Sequence, residues 1–297
     1  MSESSRKRSS PRSERLSVRK TYKLYVGGAF PRSESGRSYP VSTPKGELLA
    51  HAAQASRKDV RDAVLAARGA FAKWSGATAY NRGQILYRIA EMLEGRREQF
   101  GAEVADAEGA TAKRALAQVD AAIDRWVHYA GWADKYAQVV GSTNPVAGPY
   151  FNFSLPEPTG VVGALAPQDS SLLGLVSVLA PILSTGNTTV VIASQDRPLP
   201  AASLAEVLAT SDLPGGVVNL LTGFTSELAP WLAAHRDVNA LDVTGAQAGA
   251  RADLQAAAAD NVKRVYVPRD DDWARDPGLA RLNAFVETKT VWHPIGV

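Results

Sequence analysis

Five short apolar or β-branched runs in the second half of the sequence, VVGALA (161–166), TVVIA (189–193), VVNLL (217–221), ALDV (240–243) and RVYV (264–267), constrain the fold most strongly. Stretches of helical spacing separate them, near 171–184, 199–209, 225–235 and 247–259. Strands that alternate with helices read as α/β: a doubly wound, mostly parallel, Rossmann-like sheet with helices on its faces. Sheets of this kind bind ligands beyond the carboxyl ends of their strands.

The preceding part, 22–138, reads as mainly helical. Lys23–Phe30 (KLYVGGAF) predicts two short strands about a Gly27-Gly28 turn, and 40–47 (PVSTPKGE) a second turn region. Ser56 followed by Asp59 has the form of a capping box. The helix it opens puts Val60, Ala63, Val64, Ala67 and Phe71 on one face. A second helix follows Asn81, with Ile85, Leu86, Ile89, Ala90 and Leu93 in register. A third is expected from 111 to 137, with Val119, Ile123, Trp126 and Ala130 inward. Trp126, Tyr129 and Trp132 share that helical spacing and read as packing residues rather than a base-stacking platform. Beyond Val267 the pattern breaks: 268–283 is a polar linker, and 284–295 (AFVETKTVWHPI) is one strand that must join an existing sheet.

Composition narrows the chemistry. The 297 residues include no cysteine, which excludes disulfides, thiolate metal sites and a cysteine nucleophile. Residues 1–20 carry seven Lys/Arg and two Glu, a local charge of +5 within a net +3, so the body of the chain is at −2. The basic character belongs to that serine-rich segment (1–21), which reads as a solvated disordered arm. A nucleic acid partner is not expected. No apolar run reaches membrane-spanning length and no secretory h-region is present, so a cytoplasmic location is expected without membrane association.

Phosphate-binding motifs are missing. There is no G-x-x-x-x-G-K-[ST], and Gly163 leads to Ala166-Pro167 rather than into G-x-G-x-x-G. Three loops retain some ligand potential: Pro167–Ser171, Leu221–Thr225 and Thr244–Ala250. Ordinary loop chemistry is the favoured reading of each, with Asp169 or Ser170 as a helix cap and Gly223 and Gly245 as turn residues. His51, His128, His235 and His293 lack metal-ligand spacing, and 270–272 (DDD) reads as a solvated run.

Residues 22–266 resemble the N-terminal and cofactor-binding region of the aldehyde dehydrogenase superfamily. The resemblance rests on LYVGGAF, KDVRDAVLAARGAFAKW (58–74), RGQILYRIAEMLEGR (82–96) and HYAGWADKYA (128–137). It continues through EPTGVVGALAP (157–167), LAPILSTGNTTVV (179–191), LPGGVVNLLTGF (213–224) and DVTGAQAGA (242–250). ETKTVWHPIG (287–296) is similar to the family's C-terminal oligomerisation strand. The resemblance implies a cofactor-type domain (22–138 and 158–267) and an oligomerisation hairpin at 139–157. It also implies a C-terminal oligomerisation strand at 284–297, with the linker 268–283 in place of a catalytic domain.

In that family a cysteine attacks the aldehyde, hydride passes to NAD(P), and hydrolysis of the thioester releases the acid. This sequence has no such cysteine. The resemblance puts Asp169 where the family has its oxyanion-stabilising asparagine, and Pro268 where it has its general-base glutamate. A carboxylate repels a developing oxyanion, and a proline takes up no proton. Ile192 stands for the ribose-contacting lysine, Gln195 for a nearby glutamate, and Ala246 and Ala250 for a serine and a glycine. Pro167, Gly223 and Gly245 keep the family's residues, so cofactor binding is expected to be degenerate: no cofactor required, NAD(P) weakened.

The expectation is a pseudoenzyme, inactive alone, that joins a hetero-oligomer as a structural or regulatory subunit of a full-length aldehyde dehydrogenase. It would dock through the hairpin and 284–297. A weak NAD(P)-binding or sensing module is one alternative. Altered chemistry at Asp169, Ser170 and Ser171 is the other.

Overall fold

The computed structural model describes residues 18–268 and 272–296. Most of the basic arm, residues 269–271 of the linker and residue 297 lie outside the described residues.

The chain enters through a small three-stranded sheet: β1 (Thr21–Tyr22), β2 (Ser38–Ser42) and β3 (Leu48–Ala53), in the order β1-β3-β2. The expected turn region at 40–47 is narrower than the sequence suggested. Pro40 and Val41 belong to β2, and the reversal occupies 43–47, where the Thr43 N–H donates to the Glu47 carbonyl. β3 has the sequence LLAHAA, whose alanines give little strand signal; pairing on both sides makes it a strand. The two strands expected within 23–30 reduce to isolated bridges, Tyr25 to Leu220 and Val26 to Ala29. Between them Gly27 and Gly28 have φ of 63° and 84°, a conformation that favours glycine at both positions.

Five helices follow: α1 (Arg57–Ser75), α2 (Ala79–Glu94), α3 (Arg97–Glu108), α4 (Ala112–Trp132) and α5 (Tyr136–Val140). The capping box at α1 is complete. Ser56 Oγ accepts from the Lys58 and Asp59 N–H groups, and Asp59 Oδ2 accepts from the Ser56 N–H at 2.7 Å. α3 was not anticipated, because Phe100, Val104 and Ala107 make too thin an apolar stripe to stand out. The expected third helix stops at Trp132, and α5 is a separate turn. β4 (Ser142–Asn144) and β5 (Tyr150–Pro158) then form an antiparallel pair that runs one residue beyond the expected 139–157 segment, whose first two residues belong to α5.

The α/β part comprises β6 (Val161–Leu165), α6 (Leu173–Ser184), β7 (Thr188–Ile192), α7 (Leu199–Ala209), β8 (Val218–Leu221), α8 (Thr225–Ala234), β9 (Ala240–Asp242), α9 (Arg251–Ala259) and β10 (Arg264–Tyr266). All five strands are parallel, in the order β10-β9-β6-β7-β8. Alternate side chains enter two cores. Val161, Leu165, Val190 and Ile192 meet α1 and α8, whereas Val162, Ala164 and Val191 meet α2, α4 and α6. From β6 the chain moves to β7 and β8 on one side and later to β9 and β10 on the other, so its switch point lies between β6 and β9.

The final segment is more ordered than a linker. Trp273, Leu279, Leu282 and Phe285 join the core, around α10 (Ala280–Ala284). β11 (Val286–Pro294) then pairs antiparallel with β5 over nine residues, from Val286 opposite Pro158 to Pro294 opposite Tyr150, completing a sheet of order β11-β5-β4. Arg281 fastens this segment to the parallel sheet. Its Nη1 donates to Asp242 Oδ2 at 2.8 Å and its Nη2 to Thr244 Oγ1 at 3.2 Å. The Arg281 side chain is 8% exposed and that of Asp242 0%. Removing one member strands the other charge in the core, so Arg281→Met is expected to cost about 3–5 kcal/mol. The double change Asp242→Leu/Arg281→Met should cost less than Arg281→Met alone; urea unfolding of the three chains checks both expectations.

Candidate functional site

Beyond the carboxyl ends of β6, β7, β8 and β9 lies a cleft of about 410 Å³. Gln168, Gln195, Asp196, Thr225, Gln247 and Asp253 supply its polar lining, and Gly245, Ala246 and Ala250 part of its wall. Gly245 is fixed by geometry. Its N–H donates to the Leu165 carbonyl at 2.9 Å, and a Cβ there would run into the Ala166 carbonyl oxygen. Gly223, at φ 147°, packs against Ala55 and Leu228 in the turn between β8 and α8. Pro167 is buried at the end of β6. Of the three positions expected to retain cofactor contacts, Gly245 lines the cleft while Pro167 and Gly223 shape the loops behind it.

The electrostatics of the cleft oppose an anion. Asp196 and Asp253 face it, and no lysine or arginine is among its lining residues. The N-terminus of α8 contributes roughly half a positive charge through Thr225 and Ser226, which two carboxylates outweigh. Ile192 has 0% exposure within the apolar core, where it offers nothing to a ribose. The Gln195 N–H donates to Gln168 Oε1 at 2.9 Å, and its carbonyl accepts from the Tyr39 hydroxyl at 3.2 Å, so the residue is held by the protein itself. Burial raises the Tyr39 pKa far above its ordinary value, which keeps that group a donor. The lining therefore offers no side-chain cation to the pyrophosphate of a dinucleotide.

Asp169 is exposed on the β6–α6 loop, outside the cleft lining, and its carbonyl accepts from Arg197 Nη1 at 2.6 Å. The neighbouring hydroxyls have structural work. Ser170 Oγ accepts from the Gly174 N–H at 2.9 Å, but the N-cap of α6 is Leu172 rather than Asp169 or Ser170. Ser171 donates to Glu108 Oε1 from its N–H at 2.8 Å and from its Oγ at 2.7 Å. Pro268 is buried two residues beyond the end of β10 and does not line the cleft. The histidines lie on β3, on α4, after α8 and on β11. No group of three or more His, Asp or Glu residues among the described residues suits a metal ion. Thr225 and Gln247 fall in two of the loops given ligand potential by the sequence, whereas Asp196 and Asp253 lie outside those loops; their only signal is a place after a strand and in the first turn of a helix.

The aldehyde dehydrogenase family model matches residues 30–268. This chain belongs to the aldehyde dehydrogenase family. It is 34% identical over 246 residues to aldehyde dehydrogenase family 2 member B4, mitochondrial, of Arabidopsis thaliana, covering 82% of this chain and 45% of that protein. It is 33% identical over 280 residues to aldehyde dehydrogenase, cytosolic 1, of Elephantulus edwardii, covering 93% and 55%. Among solved structures, the NAD+ complex of the Bacillus cereus aldehyde dehydrogenase superposes with a TM-score of 0.79 at 28% identity, over 83% of this chain and 50% of that one. The chain spans about half the length of the relatives it matches, and it carries no cysteine, so the family's catalytic cysteine is absent from it. The parallel five-stranded sheet is the counterpart of the family's NAD-binding domain.

Gly245→Ala is expected to destabilise the protein by about 1–3 kcal/mol, because backbone must move to admit the methyl group. Gly249→Ala, where nothing lies within 4 Å of an added Cβ, should stay within about 0.5 kcal/mol. Thermal melts of the two variants side by side check the contrast.

Proposed function

We propose that this chain does not oxidise aldehydes by itself and acts as a structural or regulatory subunit of a full-length NAD(P)-dependent aldehyde dehydrogenase, docked through the β4–β5 hairpin and residues 284–297. The observation that carries the reading is the free edge of β11. That strand is paired with β5 over nine residues on one side, while its other edge pairs with no strand among the described residues. Tyr150, Phe151, Leu155, Trp292 and Ile295 are exposed on or beside this sheet. An exposed edge strand with apolar neighbours is a template for another chain.

Three further features support a non-catalytic role. There is no cysteine to form a thiohemiacetal. On the family resemblance, Pro268 replaces the general base and Asp169 the oxyanion donor. The cleft lining carries two carboxylates and no cation, so NAD(P) is weakly held and not required. No helix among the described residues is long and apolar enough to cross a membrane, and a cytoplasmic location is part of this reading.

The alternative of a weak NAD(P)-binding module draws on one observation: the cleft lies at the switch point of the sheet, where such folds bind ligands. Saturable stabilisation by either dinucleotide would favour it.

Co-expression of the tagged chain with a full-length aldehyde dehydrogenase from the same source tests the assembly. A stoichiometric complex is expected on sizing, lost on deletion of 284–297 and weakened at least tenfold by Trp292→Glu, which leaves the β5–β11 ladder in place. A chain that sizes alone beside the full-length enzyme contradicts the reading.

A further inference from the structure

A second cavity, of about 200 Å³, lies between α4, α6, β10 and the segment that follows the parallel sheet. Unlike the cleft, its lining holds guanidinium groups, those of Arg125, Arg275 and Arg281, beside the carboxylates of Asp272 and Asp276. Arg125, from α4, is 8% exposed and lines it. Both hydrogen bonds of this guanidinium use Nη2 and go to backbone carbonyls, Trp273 O at 2.7 Å and Arg275 O at 3.2 Å. Arg125 has no ion pair among the described residues. Arg281 lines the same cavity, engaged with Asp242 and stacked over the rings of Tyr266 and Trp273 at 4.8 and 5.2 Å.

A guanidinium that is nine-tenths buried and hydrogen-bonded only to backbone carbonyls is costly, because the Asp276 carboxylate attracts it without forming an ion pair. Burial accordingly lowers the Arg125 pKa, and the like charge of Arg281 adds to that, against the pull of Tyr129 and Asp276. Two neutral donors complete the arrangement. Ser177, 2% exposed, lines the cavity with an Oγ that has no protein partner, and the buried Trp273 Nε1–H has none either.

We propose that this cavity is a binding site for a small monocarboxylate, with Arg125 as its charged anchor and the Ser177 hydroxyl and Trp273 indole as further donors. Guanidinium pairs well with the planar two-oxygen geometry of a carboxylate, and Nη1 and Nε of Arg125 are available for it. The acidic side chains of Asp272 and Asp276 in the lining oppose a second negative charge, which disfavours phosphate. The Trp273 and Tyr266 rings and Pro277 give a tail of a few carbons an apolar wall. Because the site joins α4 and α6 to the segment carrying Arg281, an occupied cavity ties that segment more firmly to the parallel domain.

The test is a thermal-shift and calorimetric titration of the full chain with acetate, propionate and butyrate, against phosphate and chloride at matched ionic strength. Saturable stabilisation by at least one carboxylate is expected, with phosphate and chloride giving none. Arg125→Gln should weaken that binding tenfold or more, and Ser177→Ala several-fold. Should Arg125→Gln fail to fold, Ser177→Ala against the unmodified chain decides. Absence of a saturable carboxylate response overturns the proposal; so does an equal response to phosphate, or affinity unchanged in Ser177→Ala.

Discussion

Strands β6, β7, β8 and β9 are buried along their whole length, so the parallel sheet must be covered on both faces, and much of the remaining chain supplies that cover. α1, α8 and α9 close one side and α2, α4, α6 and α7 the other. The requirement also explains α6, which contains Pro181 yet is buried at every residue: it lies between the sheet and α4, in the middle of the larger core. With the layers fixed in this way, the loops at the carboxyl ends of the strands have little freedom. The glycine at 245 follows from the closeness with which its loop crosses the end of β6.

Hydrogen bonds at the junctions then join the terminal sheet to this core. Asn187, fully buried at the start of β7, accepts from the Gly160 N–H at 2.8 Å and donates to the Phe285 carbonyl at 2.9 Å, linking the entry to β6 with the entry to β11. Asp242 and Arg281 make the corresponding link at the far end of β9. A buried ion pair gives little net stability over apolar packing, but it penalises alternative placements of the segment that carries it. These two links hold the C-terminal strand at a defined place on the hairpin, with its outer edge unpaired by any described strand.

Legibility in the sequence followed the strength of local signals. The five parallel strands and their helices announce themselves by alternation, and Ser56 with Asp59 marks a helix start to the residue. β3 and α3 escaped because LLAHAA and REQFGAEVADAE owe their structure to neighbours rather than to periodicity. α10 escaped because its two buried residues, Arg281 and Leu282, sit in a polar, acidic stretch. At the site, loop positions were readable from turn chemistry, whereas the balance of charge was not. Asp196, on the loop after β7, and Asp253, in the first turn of α9, meet only in the fold. Arg125, Ser177 and Trp273 are scattered through the sequence and converge on one cavity, an arrangement that no spacing rule describes.

The cleft with its carboxylates, the tied-up hydroxyls of Ser170 and Ser171 and the absence of cysteine all bear on one proposed property, that the chain does not turn over aldehyde alone. The most direct measurement is aldehyde-dependent reduction of NAD+ and NADP+ by the purified chain, over a panel of aliphatic and aromatic aldehydes. The expected result is no rate above that of buffer. Turnover that stays with the protein through repeated purification would contradict the account and require a nucleophile other than cysteine.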